Sequence, residues 1–412
     1  MSTGCDLPAQ VKGLMPVEQA RAFLLSQAVV VDGTEVLDLR QACGRVLAEP
    51  VISSVNVPPA DNSAMDGYAI ALAETTEYRV AGTALAGHPF KGSLQAGECV
   101  RIMTGAPVPA GTDLVEMQEN AEREGDTVRF TEALTTGSNI RRAGEDIALG
   151  SEVLPAGRRL TSSDCGLIAS IGQPQVTVRR GLKVALLTTG DELAAPGTDL
   201  VDGQIYESNS YVLAPMLEKL GAEVSLVTAL EDTPWATQDA LQKASQQADL
   251  IITCGGVSVG DADYVKAAVE ELGELVLWKL ALNPGKPLAF GRVGQALFLG
   301  LPGNPVSSLV TLHQLGIPLI RTLCGETVAA PLRLQATALT LLKKSPGRAF
   351  YLTGIASLNE AGQLVVASTG AQGSGILSSV SRANCFIVLE QERGRVEAGE
   401  TVTLELFDQW LL

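Results

Sequence analysis

"DLIITCGGVSVGDADYVKAAVEELG" (residues 249–273) opens as a short continuous apolar run and closes with helical spacing, with Gly255, Gly256 and Gly260 in the turn between. Consecutive rather than alternating apolar residues belong to a strand buried on both faces. The unit recurs on either side. "LKVALLTT" (182–189), "EVSLVTAL" (223–230), "ELVLWKLAL" (274–282) and "QALFLGL" (295–301) read as strands. "SNSYVLAPMLEKLGA" (208–222), "TPWATQDALQKASQQA" (233–248) and "NPVSSLVTLHQLGIPLIRTLCG" (304–325) read as helices. Such alternation predicts an α/β domain, its sheet mainly parallel and covered on both faces.

The turn poses a chemical question. Glycine amides suit an anion, yet Asp261 and Asp263 follow at once and would repel a phosphate. Two unit charges about 4 Å apart interact by about 4 kcal/mol at an effective dielectric of 20, so an unbridged aspartate would reject the ligand. A hard divalent cation, Mg²⁺ above all, reconciles the two by binding oxygens of both. The loop lacks the G-K-[ST] of a Walker motif and the spacing of a dinucleotide fingerprint.

Ligands of a doubly wound sheet sit at the carboxyl ends of its strands. Those positions read "TTGDEL" (188–193), "LEDTP" (230–234), "CGGVSVGDAD" (254–263), "LNPGKP" (282–287) and "LPGNPVSS" (301–308). Any one of these is ordinary turn chemistry, and Asn304 with Pro305 makes a good helix start. Five converging on one edge point to a site, with Glu192, Asp232, Asp261 and Asp263 supplying oxygens and Lys279 and Lys286 positive charge.

The rest of the chain is β-rich. Residues 51–145 hold short segments such as "ECVRIMTG" (98–105) and "DTVRFTE" (126–132). Residues 332–408 hold "LRLQATALTLL", "AFYLTGIASL", "QLVVAST", "NCFIVLE" and "TVTLELF", separated by glycine-containing turns. The ends of the first 50 residues and 161–172 read as helical. At 412 residues the chain exceeds one hydrophobic core, and 46% apolar content is that of a globular protein. A net charge of −16 argues against nucleic acid and requires local cations at any anion site. No apolar run reaches the roughly 18–20 residues of a membrane span, and no secretory signal is read at the N-terminus. Seven cysteines without a C-x-x-C pair fit a reducing cytoplasm. His88 and His313 have no partners for zinc or triad chemistry and are expected to be structural or surface residues.

"PPADNSAMDGYA" (58–69), "RIMTGAPVP" (101–109), "NIRRAGED" (139–146), "GGVSVGDADYVK" (255–266) and "LPGNPVS" (301–307) closely resemble the molybdopterin molybdenumtransferase (MoeA) family, which includes the E domain of gephyrin. The match runs through nearly the whole chain. The resemblance implies a cytoplasmic homodimer that inserts molybdenum from molybdate into adenylylated molybdopterin, with Mg²⁺-dependent release of AMP. It also makes the molybdopterin adenylyltransferase an expected partner. Four domains are implied: an elongated helical one from 1–50 and 146–180, a β-rich one at 51–145, the α/β domain at 181–327 and a β-barrel-like one at 328–412.

Carried over by motif, Asp232 and Asp263 resemble the metal ligands, and Glu192 the acid nearest the reacting centre. Asp61, Thr104, Arg141 and Asp146 resemble cleft residues of the β-rich domain. Lys279, Lys286, Pro302 and Pro305 resemble the floor of the anion site, with Ser374 of "QGSG" from the C-terminal domain. Gly255, Gly256 and Ser258 belong to the ligand-binding turn. One departure stands out: the family's W-K-x-x-x-K-P-G-K-P pattern puts a base where this chain has Asn283, unless a nearby arginine substitutes. Two alternatives remain at this point. The α/β domain is similar to the adenylyltransferase itself, and gephyrin's E domain also acts as a scaffold, although a scaffold is expected to carry a fused partner domain.

Overall fold

The apolar run of the opening stretch is a strand, Leu250–Cys254, buried at all five positions in the computed structural model, which describes residues 13–256, 264–408 and 411. It lies inside a six-stranded sheet ordered Ala222–Leu230, Leu182–Thr189, Leu250–Cys254, Ala296–Leu301, Pro287–Val293, Gly273–Lys279. The first four run parallel, with Leu186 opposite both Leu226 and Ile252, and Ile252 opposite Leu299. Pro287–Val293 turns back antiparallel to both neighbours, so Gly273–Lys279 regains the common direction. This reversed strand was not read from the sequence. It starts on a proline and contains Gly291, where a Cβ would lie 1.9 Å from the Glu274 carbonyl oxygen. Proline is tolerated at a strand's first residue, and glycine where backbones approach closely.

Helices cover both faces, as near-continuous apolar strands require. Asn209–Lys219, Val17–Ser26 and the segment from Pro305 to Leu323 bury one apolar cluster, and Pro234–Gln247 with Tyr264–Leu272 the other. Thr233 caps Pro234–Gln247 by accepting from the Ala236 N–H. The expected helix 304–325 is interrupted: Pro305–Thr311 and Ile317–Leu323 flank a π turn, Leu312–Gly316. Pro318 cannot donate back into the preceding turn, and the wider turn takes up that loss. Asn304 and Pro305 hold the expected N-cap and first helical positions, but the Asn304 side chain makes no capping bond.

C-terminal to this sheet, Ala349–Leu358, Leu364–Ser368, Arg333–Ala338, Thr401–Leu406 and Cys385–Leu389 pair in that order, and the last pairs with the first to close a five-stranded barrel. Leu282–Asn283 adds to it in parallel, setting Asn283 opposite Phe350. The barrel is thereby stitched to the "LNPGKP" loop.

These elements form one compact unit, Met1–Glu35, Gly44–Ala48 and Val178–Leu412; Val36–Cys43 with Glu49–Thr177 forms a second. The second unit has its own sheet, ordered Leu114–Met117, Gly67–Ile70, Glu98–Ile102, Glu77–Ala84, Thr127–Phe130, Ala121–Glu124. It also holds the helix Ser162–Ser170, started by a capping box between Thr161 and Asp164. Among the described residues of 1–50 and 146–180, helix is confined to Val17–Ser26, Ser162–Ser170 and the 3-10 turn Leu39–Gln41.

Candidate functional site

Five strands of the α/β sheet point the same way, so Thr189, Leu230, Cys254, Lys279 and Leu301 end at one edge, where the reversed strand begins at Pro287. The loops leaving that edge enclose a cleft of about 710 Å³. Of the expected residues, Glu192, Asp232, Gly255, Gly256, Lys286, Pro302, Pro305 and Ser374 line it, as does Asn283. Ser258, Asp261 and Asp263 lie outside the described residues. Lys279 is exposed and is not among the lining residues; its carbonyl accepts from the Met15 N–H at 2.8 Å.

At Gly255 and Gly256 the fold requires the absence of a side chain. The Gly255 N–H already donates to the Leu301 carbonyl at 3.2 Å. With φ of +96°, a Cβ there would meet the Thr189 carbonyl oxygen at 2.9 Å; at Gly256, with φ of +64°, it would meet Val265 Cγ2 at 2.3 Å. Gly190 leaves room for the folded-back carboxylate of Glu192, whose Oε2 lies 2.6 Å from where a Cβ would be.

Acid and base occupy different parts of the cleft lining. Burial, then the charges of Asp191 and Glu192, push the Asp232 carboxyl above the usual aspartate range. The Asp232 N–H donates to Asp191 Oδ1 at 3.1 Å, which brings the two acids together. Among the described residues no three His, Cys, Asp or Glu side chains are placed to hold a metal ion by themselves. Lys286 lies on the "LNPGKP" loop, and Arg348, just before the barrel strand paired with that loop, is a second cationic residue of the lining, its guanidinium 5.8 Å from the centre of the Phe350 ring. Sequence reasoning had left open an arginine near Asn283 without placing it; the signal was the strand start at 349. The Ser374 carbonyl accepts from the Val306 N–H at 2.9 Å, tying the "QGSG" loop to the helix at Pro305. Asn209, buried at the start of its helix, donates from Nδ2 to the Gly303 carbonyl at 2.8 Å. It was missed as a site residue, although the polar run "YESNS" ahead of an apolar helix was visible.

Asp61, Thr104, Arg141 and Asp146 belong to the second unit. Asp61 accepts from the Ala143 N–H at 2.8 Å and from Arg142 Nη1 at 2.6 Å, and these bonds, the backbone one first, hold it below the usual aspartate range. Arg141 is exposed and pairs in the ladder with Asn62. Thr104 donates from both N and Oγ1 to Asp66 Oδ1, each at 2.7 Å. Asp66 was not singled out in the sequence; the repeated acid of "DNSAMD" was its trace. Asp146 is exposed, and its N–H donates to the Val57 carbonyl at 3.0 Å.

His88 is an exposed turn residue, while His313 and Cys254 are packed into the fold. His313 Nε2 lies 3.2 Å from Asp408 Oδ2, with its ring against Phe386, and Cys254 is a buried strand residue whose thiol burial pushes up.

Three family models cover most of the chain: "MoeA N-terminal region (domain I and II)" at residues 15–172, "Probable molybdopterin binding domain" at 185–322, and "MoeA C-terminal region (domain IV)" at 335–407. The chain belongs to the MoeA family. A MoeA relative from Haemophilus influenzae, named molybdopterin molybdenumtransferase, is 47% identical over 97% of this chain and 100% of its own. One of the same name from Nostoc is 35% identical over 90% of this chain and 88% of its own. The crystal structure of the molybdopterin biosynthesis MoeA protein from Pyrococcus horikoshii superposes with a TM-score of 0.82 at 28% identity, covering 96% of this chain and 100% of that one.

Proposed function

We propose that this MoeA chain is a molybdopterin molybdenumtransferase that takes adenylylated molybdopterin and molybdate, places molybdenum at the dithiolene and releases AMP. The observation that carries the reading is the cleft at the sheet edge, where Asp232 and Glu192 and the cations Lys286 and Arg348 all contribute to the lining. Its volume suits a ligand of that size. Lys286 and Arg348 hold the oxyanion by charge-assisted hydrogen bonds, and Asn283 contributes an amide donor without charge. The glycines let the ligand approach the backbone, and the "LPGNP" and "QGSG" loops are fixed against one another so that the groups keep their places. Catalysis is then mostly positioning and electrostatics, which suits a cleft lining without histidine.

The Asp232 carboxylate is crowded by two further acids, and a hard oxygen donor in that setting fits Mg²⁺. Asp232 would hold the ion, with Asp263 as the second ligand implied by family resemblance. When bound, the ion would neutralise charge on the leaving phosphate. Glu192, Ser258, Pro302 and Pro305 complete the set proposed for the cleft; Asp61, Thr104, Arg141 and Asp146 of the second unit, and Lys279, are further functional residues implied by the family resemblance.

We assign the protein to the cytoplasm, which the free thiols of Cys43, Cys99, Cys165, Cys254 and Cys385 support; no described helix is long and apolar enough to cross a membrane. A homodimer is proposed as well, supported by the exposed Leu226 and Val227 on the open edge strand Ala222–Leu230. The adenylyltransferase is its proposed supplier. The deciding experiment is AMP release from purified adenylylated molybdopterin. Release that requires both molybdate and Mg²⁺ is expected; AMP transfer from ATP to molybdopterin instead would make the protein an adenylyltransferase.

A further inference from the structure

We propose that Tyr206 is the stacking platform on which the flat heteroaromatic ring of the ligand, adenine or pterin, is held. The inference deepens the functional reading above and rests on it. Two aromatic residues line the cleft, Tyr206 and Tyr351. Tyr351 is only 2% exposed, whereas Tyr206 is 46% exposed, so Tyr206 offers an open ring to a ligand. A half-exposed aromatic at the wall of a polar cleft gains by covering its face with another flat ring.

The ring is held firmly. Ile205–Tyr206 pairs in parallel with Leu193–Ala194 to make a short flap after the first strand of the sheet. The N–H groups on either side of Tyr206 are both spent, Ile205 on the Glu192 carbonyl at 2.8 Å and Glu207 on the Ala194 carbonyl at 2.9 Å. The Tyr206 hydroxyl donates to the Thr198 carbonyl at 2.8 Å, fixing the far end of the ring. An aromatic anchored at both ends loses little freedom when a ligand stacks on it.

The chain just beyond the ring selects the kind of ligand. Asn209 also lines the cleft, as does Glu207, whose buried carboxylate already accepts from the Ser210 N–H and hydroxyl. Asn209 is 8% exposed, its Nδ2 is committed to Gly303, and its Oδ1 is buried without a hydrogen-bond partner. A buried acceptor left unpaired is unfavourable, and an N–H donor satisfies it. Stacking face and the Asn209 acceptor together suit a ring bearing amino or N–H groups, which adenine and pterin both carry. The phosphates of the same ligand then run towards Lys286 and Arg348.

The test uses the full-length protein, with AMP and pterin as separate probes in calorimetric titrations. Tyr206→Leu keeps apolar volume but no flat ring, and should weaken at least one probe about tenfold; Tyr206→Phe should stay within about threefold of wild type. Loss for AMP alone places adenine on Tyr206, loss for pterin alone places pterin there, and loss for both means that the two rings compete for one platform. A folded Tyr206→Leu protein that binds both as wild type does overturns the proposal. Should that variant not fold, wild type carrying 3-fluorotyrosine serves instead. The fluorine resonance that Tyr206→Phe removes should shift on adding AMP or pterin, and no shift with either also overturns it. Failure of wild type to release AMP from adenylylated molybdopterin with molybdate would instead withdraw the substrate assignment, leaving the ring measurements to stand.

Discussion

The Asp232 carboxyl titrates above the ordinary aspartate range because burial, and then the charges of Asp191 and Glu192, oppose its ionisation. A carboxyl whose folded value is raised holds its proton more tightly in the native state. Its cost to stability therefore appears as pH rises through the unfolded value near 3.8 and is complete above the folded one. Asp232→Asn should thus melt about 1–3 °C higher than wild type at pH 7, and the advantage should vanish below about pH 3.8. Mg²⁺ should raise the wild-type melting temperature and leave the variant's unchanged; equal protection of both by Mg²⁺ would remove Asp232 from the metal site. Position 283 carries a second prediction. Asn283 lines the cleft with Lys286 and Arg348, so Asn283→Lys adds a charge where two already act. A solvated charge contributes about 0.5–1 kcal/mol, so the molybdate concentration for half-maximal rate should fall about two- to fivefold. An unchanged dependence would mean that position 283 does not face the anion. At this scale the sequence was legible in position, since Glu192, Asp232 and Lys286 were read at the sheet edge and do line the cleft. It was illegible where register decides, as for Arg348, which joins the cleft lining because a barrel strand pairs beside Asn283.

Elements were legible in proportion to how far their own pattern determines them. Leu182–Thr189 and Leu250–Cys254 are buried almost throughout, and apolar runs between turns announce that. The strand Pro287–Val293 escaped notice because its proline and glycine read as punctuation, and only its two neighbours make it a strand. The π turn Leu312–Gly316 was hidden for a related reason: helical spacing does not reveal how a helix accommodates Pro318. The "LNPGKP" loop is fitted onto this helix. Gly285 has a φ of +117°, and a Cβ on it would lie 2.5 Å from Thr311 Oγ1. Gly285→Ala should therefore combine backbone strain with a clash, costing about 1–3 kcal/mol of stability and displacing Lys286. Thr311 Oγ1 is buried without a partner, so Thr311→Ala removes the obstacle without breaking a hydrogen bond. The double variant should recover part of the loss in chemical denaturation, the share due to the clash, and leave the share due to φ. Strict additivity of the two substitutions would show that the loop is not braced on this helix.

For the whole molecule, composition predicted a class and a charge, while the division into units was beyond its reach. Gly44–Ala48 groups with the first unit and Val36–Cys43 with the second, an exchange within a few residues that no local pattern marks. Net charge, by contrast, acts on the entire molecule and has a measurable consequence. At −16 the protein repels an oxyanion from a distance, whereas Lys286 and Arg348, the proposed anion holders, would attract it inside the cleft. The two fields differ in range. The Debye length is about 30 Å at 10 mM salt and about 8 Å at 150 mM, so moderate salt screens the distant repulsion and spares the contact attraction. The molybdate concentration for half-maximal AMP release should accordingly fall by about two- to threefold from 10 to 150 mM salt. Near 1 M, where screening reaches about 3 Å, the local cations are muted as well and the requirement should rise again. Steady-state rates at fixed Mg²⁺ across this range, with an inert monovalent salt, make the measurement. A requirement that climbs steadily from the lowest salt would mean that the cleft cations, and not the acidic surface, set the field that an arriving molybdate meets.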